Sequence, residues 1–414
     1  MSILGKGISH NASNGSALNQ NGRYYSLDAL RAIMMLLGLV LHSFISYGAI
    51  DYDTSWPYQD AQTNSVFDVI VFSIHIFRMP IFYFMAGFFA AMLYERRQPS
   101  GMAFNRASRI LIPFILSWIV IYPPISFGFN FANVARDSSI FVGLQDTYGL
   151  FLSNIFNYRD STAHLWFLYY LLMYYLVFLA IVPMLRRLPL NLRSGFLNGF
   201  SKVITSRFRA IWFAIPTALT LWITPLGSYE TSTSFIPSFR TFTAYIVFFS
   251  FGWLLYQKRE ILSTFKQYAW TQVILGALLS VPNHIAAIYQ KGIAPDTRLG
   301  VFSLVVISGS LIVWLFAFGI TGLFLRYLNY PNRLIRYIVD ASYWLYLIHL
   351  PLTIWLPGFL TGVQWPAPVK AMVVLLLTTF TGLVTYNYLV RTSYIGKTLN
   401  GRKYPRGLPS FSNA

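Results

Sequence analysis

The apolar run "LRAIMMLLGLVLHSF", residues 30 to 44, carries two ionisable side chains, Arg31 and His42. Such a group in hydrocarbon costs roughly 2.5–3.5 kcal/mol on insertion scales, so it usually faces a protein interior and marks a substrate, ion or proton path. At about 1.5 Å and 100° per helical residue, the step from Arg31 to His42 is close to three full turns. The two therefore share one face about 16 Å apart along the axis. Asp28, three residues before Arg31, falls near that face as an ion-pair candidate.

Three other motifs add polar groups of the same kind. "HIFRMP" places His75 and Arg78 one helical turn apart, and "SYWLYLIHLP" spaces Ser342, Tyr346 and His349 by four and then three, a single polar stripe. His164 opens "HLWFL" with Trp166 close behind, and "NRASRILIP" sets Arg106 and Arg109 a turn apart. An imidazole with a pKa near 6.5 is the natural general base for a hydroxyl at neutral pH. Paired guanidiniums at a helix start suit a polyanion such as a phosphate chain.

Each residue also has a plainer reading. His75, Ser342, Tyr346 and His349 serve equally well as hydrogen-bonded joints between helices, worth about 0.6 kcal/mol on average. Arg78 can snorkel, while His164, Trp166 and His284 can form an interfacial aromatic belt, and Arg106 and Arg109 can be topogenic charge. For His42 the functional reading is preferred, because Arg31 on its stripe and His75 at a matching depth both require explanation.

The elements that must hold these groups follow from composition. The 414-residue chain is 56% hydrophobic, 18% aromatic and only 11% charged, which is the composition of a membrane protein. Runs long enough to cross a bilayer lie near 29–50, 66–94, 107–131, 164–185, 209–227, 239–257, 268–288, 300–325, 338–361 and 368–391. The expected fold is thus an all-α polytopic integral membrane protein of about ten transmembrane helices. The more polar run at 139–156 reads as interfacial. Residues 1–24 read as a disordered cytoplasmic tail, 25–395 as a single membrane domain and 396–414 as a basic cytoplasmic tail.

The net charge of +18 is distributed as the positive-inside rule requires, so membrane lipids rather than nucleic acid are the expected contacts. Basic clusters at Arg96 to Arg109, Arg186 to Arg209, Lys258 to Lys266, Arg326 to Arg336 and the C-terminus fall on one side. Most of the acidic residues, among them Asp51, Asp60, Asp146 and Glu230, fall on the other. Both termini are then cytoplasmic. The chain has no cysteine, which excludes disulfides, thiolate zinc sites and an acyl-cysteine intermediate; no metal site is expected. The oriented sequence describes a path with guanidiniums at the cytoplasmic mouth and imidazoles and hydroxyls from the middle outward. That asymmetry fits an anionic donor from inside and a polar acceptor from outside.

The pattern "LDALRAIMMLLGLVLHS" resembles the signature of the acyltransferase 3 family of integral membrane acyltransferases. The likeness continues, in the family's order, through "FRMPIFYFMAGFF", "NRASRILIP", "HLWFL" and "SYWLYLIHLP". Within the family the chain looks most like the branch that succinylates periplasmic glucans. The resemblance implies a bacterial inner-membrane enzyme that moves a succinyl or acetyl group from cytoplasmic acyl-coenzyme A to a hydroxyl of a cell-envelope carbohydrate. It makes His42 the catalytic histidine, Arg31 its partner on the first span, and Arg106 and Arg109 the contacts to coenzyme A. No tightly bound cofactor is implied, and glucan-synthesis or export proteins are conceivable partners. One departure is Ala86 in "FMAGFF", where many members have serine.

Acceptor choice is expected in the outer loops 51–65 and 132–163, although Trp56, Tyr58, Asp137 and Tyr148 each read more simply as solvated surface. Two readings compete. One is an O-acetyltransferase of lipopolysaccharide or exopolysaccharide. The other is a small-molecule transporter using intramembrane Arg and His as substrate or proton sites. It would be expected to show paired, broken spans, and none is evident.

Overall fold

A computed structural model of the chain describes residues 24–52, 55–154, 161–294 and 297–405. Among these it is all helical, with α1 Tyr25–Phe44, α2 Ser65–Arg106, α3 Ile112–Asp137, α4 Ile140–Asn154, α5 Trp166–Arg186, α6 Leu190–Thr205 and α7 Arg209–Trp222. Then follow α8 Phe239–Gln257, α9 Ala269–Tyr289, α10 Leu299–Tyr327, α11 Arg333–Leu360, α12 Ala367–Thr385 and α13 Tyr394–Asn400. Each of the ten apolar runs lies on a helix. By length and composition, seven stretches of the described residues qualify as membrane spans, one of them running from Ser65 to Asp137. That stretch holds both α2 and α3. Helix α7 covers only 14 residues, short of the roughly 20 needed to cross hydrocarbon.

Side-chain caps start several helices: Asn64 accepts from the Val66 amide, Ser238 from Thr241 and Asn332 from Ile335, satisfying backbone donors that the first turn leaves open. Helix α2 bends at Gln98, where φ is 61°. Pro99 follows, and a residue before proline is driven out of the α region. Beyond α2 the chain makes a π-helical turn at Ala107–Leu111, a rare geometry that recurs at functional sites.

The helices pack as membrane helices do, through small residues that let backbones approach. A Cβ on Gly87 of α2 would strike the Phe249 carbonyl, and one on Gly252 of α8 would strike the Phe84 carbonyl. Around these contacts lies an aromatic core in which Trp314 meets Phe248, Phe251 and Phe318 at 4.9, 4.7 and 5.4 Å. The outer surface is apolar, with Leu116, Val120, Leu176, Leu219, Leu278 and Phe380 all exposed, as a surface facing lipid tails would be. Together these features make the chain a multi-pass membrane protein.

Residues 1–23 and 406–414 of the two expected tails lie outside the described residues. Tyr24 is buried, and α13 packs on the bundle with Leu399 buried, so the chain from 394 to 400 belongs to the folded body. Arg336 donates to the Tyr404 hydroxyl at 2.8 Å, which ties the segment after α13 to α11.

Candidate active site

Two cavities enter the bundle from opposite ends. One, of about 520 Å³, is lined by the beginnings of α1 and α11 and by the end of α2; the other, of about 990 Å³, is lined by the end of α1, the start of α2 and the loops at that end. Phe167 borders both. It packs edge-on against Phe82 at 4.4 Å and Tyr346 at 6.0 Å. Beside it Ser342 donates to Val339 at 2.9 Å and meets the Met35 sulfur at 3.6 Å. Met35, Phe82, Phe167, Ser342 and Tyr346 thus form the wall between the cavities.

The smaller cavity gathers Arg31, Arg96, Arg97, Arg106, Arg109 and Arg336 against two carboxylates, Asp28 and Asp340. Arg31 pairs with Asp28 at 3.6 Å, and Arg336 with Asp340 at 2.8 Å. Arg106 caps the start of the π-helical turn and Arg109 lies within it. Arg106 lies over the Tyr175 ring at 4.9 Å and its Nε is buried without a partner; the Arg109 carbonyl accepts from Tyr343 at 3.1 Å. The excess of guanidinium over carboxylate makes this a receptor for a polyanion. Asn400 of α13 also lines it, a contribution the sequence did not suggest. Arg31 therefore opens on the arginine-rich cavity, on the far side of the wall from His42.

The larger cavity holds His42, His75, Arg78, His164, Trp166 and Tyr346. His349 sits behind it, 1% exposed, and its Nε2 is 2.8 Å from His42 Nδ1. Its own Nδ1 is 2.6 Å from the Tyr346 carbonyl. A carbonyl only accepts, so His349 Nδ1 carries the proton and, in the neutral ring, Nε2 carries the lone pair. His42 Nδ1–H must then donate to that lone pair, which leaves His42 Nε2 as a free acceptor. The same logic makes His75 Nε2–H a donor to the Tyr229 carbonyl at 3.1 Å and His164 Nε2–H a donor to the Leu347 carbonyl at 3.1 Å. Sequence depth paired His42 with His75; the structure pairs it with His349 and gives His75 to a loop.

Other contacts fix the His42 ring. Trp56 stacks on it almost parallel, at 5.4 Å and 3°, and donates through Nε1 to Ser46 at 2.9 Å. Trp56 and Tyr58, read from sequence as solvated surface, are both buried, and burial raises the Tyr58 phenol above its ordinary pKa. Asp137 and Tyr148, by contrast, are exposed. The loop bearing Trp56 is anchored by Asp60, which accepts from Lys370 of α12 at 2.9 and 3.0 Å, deep inside the protein.

Arg78 reaches the site because α1 has Gly38 opposite it, where a Cβ would strike the guanidinium. Its Nε is buried without a partner. Among the described residues it has no carboxylate partner, so the site keeps an uncompensated cation beside its imidazoles. His164 is set by a strained turn: Ala163 has φ 45°, and Thr162 before it donates through both N and Oγ1 to the Thr233 carbonyl at 2.7 Å. The loop 226–233 and the C-terminal end of α9 also line this cavity. Of these the sequence offered only His284, read as an interfacial belt residue; for the loop the dense hydroxyl run "SYETSTS" at 228–234 was the available signal.

Geometry of this kind, a polyanion receptor and a base on two sides of a thin wall, suits group transfer between two substrates that do not share a pocket. No solved structure matches the chain. It is similar to Glucans biosynthesis protein C of Escherichia coli O81 (strain ED1a) and of E. coli K12, 24% identical to each over 344 residues, which is 82% of this chain and 84% of those proteins. Residues 24–387 match the family described as an acyltransferase domain, a stretch that contains both cavities except for the residues of α13. The chain belongs to the acyltransferase 3 family of membrane acyltransferases.

Proposed function

We propose that the protein transfers an acyl group, succinyl or acetyl, from cytoplasmic acyl-coenzyme A to a hydroxyl of a periplasmic or cell-envelope glucan or related carbohydrate. In this reading the chain sits in the bacterial inner membrane as a multi-pass protein, with both termini in the cytoplasm. The observation that carries it is the hydrogen-bonded chain from the Tyr346 carbonyl through His349 to His42, next to a wall whose far side is lined with arginines. The donor's phosphates bind at Arg106 and Arg109, helped by Arg31, and its thiol arm crosses the wall beside Phe167. His42 Nε2 takes the proton from the acceptor hydroxyl as that oxygen attacks the thioester carbonyl. The carbon–sulfur bond then breaks and the thiolate leaves with coenzyme A. Arg78 is the cation available to the tetrahedral oxyanion. His349 holds His42 in its tautomer and receives part of the charge the ring acquires.

The similarity to Glucans biosynthesis protein C supports a glucan as acceptor. The test is mass spectrometry of periplasmic glucans and surface polysaccharides from cells holding wild-type protein or His42→Ala at matched abundance. A mass increment present only with wild type identifies the acyl group and the acceptor together. Glycans of identical mass in both strains would reject the reading.

A further inference from the structure

Part of the wall of the arginine-rich cavity comes from beyond the stretch 24–387 that the family matches: Leu399 and Asn400 of α13 line it. This segment is a loop closed on itself. The Tyr404 amide donates to the Arg391 carbonyl at 3.0 Å, and the Tyr404 hydroxyl accepts from Arg402 at 2.6 Å and from Arg336 of α11 at 2.8 Å. Asn400 donates to the Tyr386 hydroxyl at 3.1 Å. Between these ties α13 ends at Gly401, in the left-handed region at φ 80°, which glycine enters without a steric penalty. The place of Gly401 is thus fixed by bonds on either side of it.

Gly401 in turn lies against Arg109. The three atoms nearest to a Cβ on Gly401 would be Nη2, Cζ and Nη1 of Arg109, and the first would overlap it. The guanidinium occupies the space a side chain would fill. Among the described residues no carboxylate pairs with it, whereas Arg31 and Arg336 of the same cavity are paired with Asp28 and Asp340. Tyr343 bonds the Arg109 carbonyl, not its side chain. We infer that Gly401 is a positioning residue for the donor: packing against its bare backbone aims the Arg109 fork and leaves the guanidinium N–H groups for a phosphate. The inference rests on the proposed coenzyme A donor and extends the donor site into the C-terminal segment, which holds Arg109 without competing for its hydrogen bonds.

The experiment measures coenzyme A binding by calorimetry, using the full chain in lipid nanodiscs. Gly401→Ala adds one methyl group against the end of a flexible side chain, so the expected result is a displaced guanidinium and a Kd raised about tenfold. Gly362→Ala is the control: Gly362 has a similar φ of 70°, lines neither cavity, and a Cβ on it would meet nothing within 4 Å. Its Kd should stay within about twofold of wild type, since it carries the backbone strain alone. Asparagine tolerates left-handed backbone, so Gly401→Asn crowds Arg109 with little strain; it should lose as much affinity, and it supplies the measurement if the alanine variant does not fold. In an Arg109→Ala background Gly401→Ala should add less than about twofold, the coupling expected of a residue that acts through Arg109. Wild-type affinity in both Gly401 variants overturns the inference, as does an equal loss in Gly362→Ala or a full further loss in the Arg109→Ala background, and in each case the donor reading stands. Absence of coenzyme A binding to the wild-type protein removes the donor reading and the inference with it.

Discussion

The two cavities differ in how their charge is handled. At one end six arginines face two carboxylates, and the excess positive charge is open to an incoming ligand. At the other, beside the buried guanidinium of Arg78, the tautomers of His42, His75, His164 and His349 are each set by a backbone carbonyl or by another histidine. The first is a receptor that any suitable polyanion can enter. The second is a positioned reaction centre, where one atom's placement matters more than total charge. Recognition and chemistry are thus segregated, and the two ends should respond to different perturbations.

The largest effect is expected from the reaction centre. His42→Ala should lower acyl transfer about a thousandfold, the usual weight of a general base, while coenzyme A still protects the arginine-rich end in binding assays. Transfer within tenfold of wild type would break the distinction, because the base would then have to be another imidazole of the cavity, such as His75 or His164, whose Nε2–H groups are held by carbonyls and whose Nδ1 atoms keep their lone pairs. Next comes the support of the ring. Asp60→Leu strands Lys370 as a buried unpaired charge, a loss of about 3 kcal/mol or more in stability, read by thermal unfolding in detergent. Adding Lys370→Met should return most of it, and failure of that rescue would mean that Asp60 acts through its backbone contacts instead.

At the receptor end the effects should be smaller and salt-dependent. Arg109→Lys keeps the charge but loses the guanidinium fork, so KM for acyl-coenzyme A should rise about tenfold with little change in kcat. Raising ionic strength should increase KM in wild type as well, and leave the acceptor KM unmoved. Equal salt sensitivity for both substrates would erase the contrast. The smallest change is expected from Ala86→Ser, which adds a hydroxyl to the lining of the smaller cavity. A rate within about twofold of wild type is the expected outcome for a substitution that adds one small polar atom; a large gain would give the receptor end a chemical role.

What could be read from sequence follows the same division. Arg106 and Arg109 lie within one local motif, and Ser342, Tyr346 and His349 share a stripe on one helix, so helical periodicity alone exposes them. The membrane-length helices were legible because each depends on a continuous apolar run, whereas α6 and α13, on polar stretches, were not read from the sequence. α7 is shorter than its run because Pro225 and the positive φ of Gly227 turn the chain soon after Trp222, where Thr224 folds back on the Leu221 carbonyl at 2.6 Å. The His42–His349 bond joins residues 307 positions apart, and depth alone offered His75 as an equal candidate. Trp56 and the loop 226–233 were hidden because their burial depends on partners far along the chain, Lys370 through Asp60 for one and Thr162 for the other. No local pattern distinguishes a loop that folds inward from one that faces water.

The wall of Met35, Phe82, Phe167, Ser342 and Tyr346 has a further consequence for the cell. Where the membrane that holds such a protein sustains an ion gradient, any continuous water-filled passage through it would discharge that store. The bulky side chains where the two cavities meet leave room for a few atoms of acyl group rather than for a hydrated ion. Substituting Phe167 with a small residue would therefore threaten membrane potential as well as catalysis, and the damage would be felt by every other process that draws on the gradient.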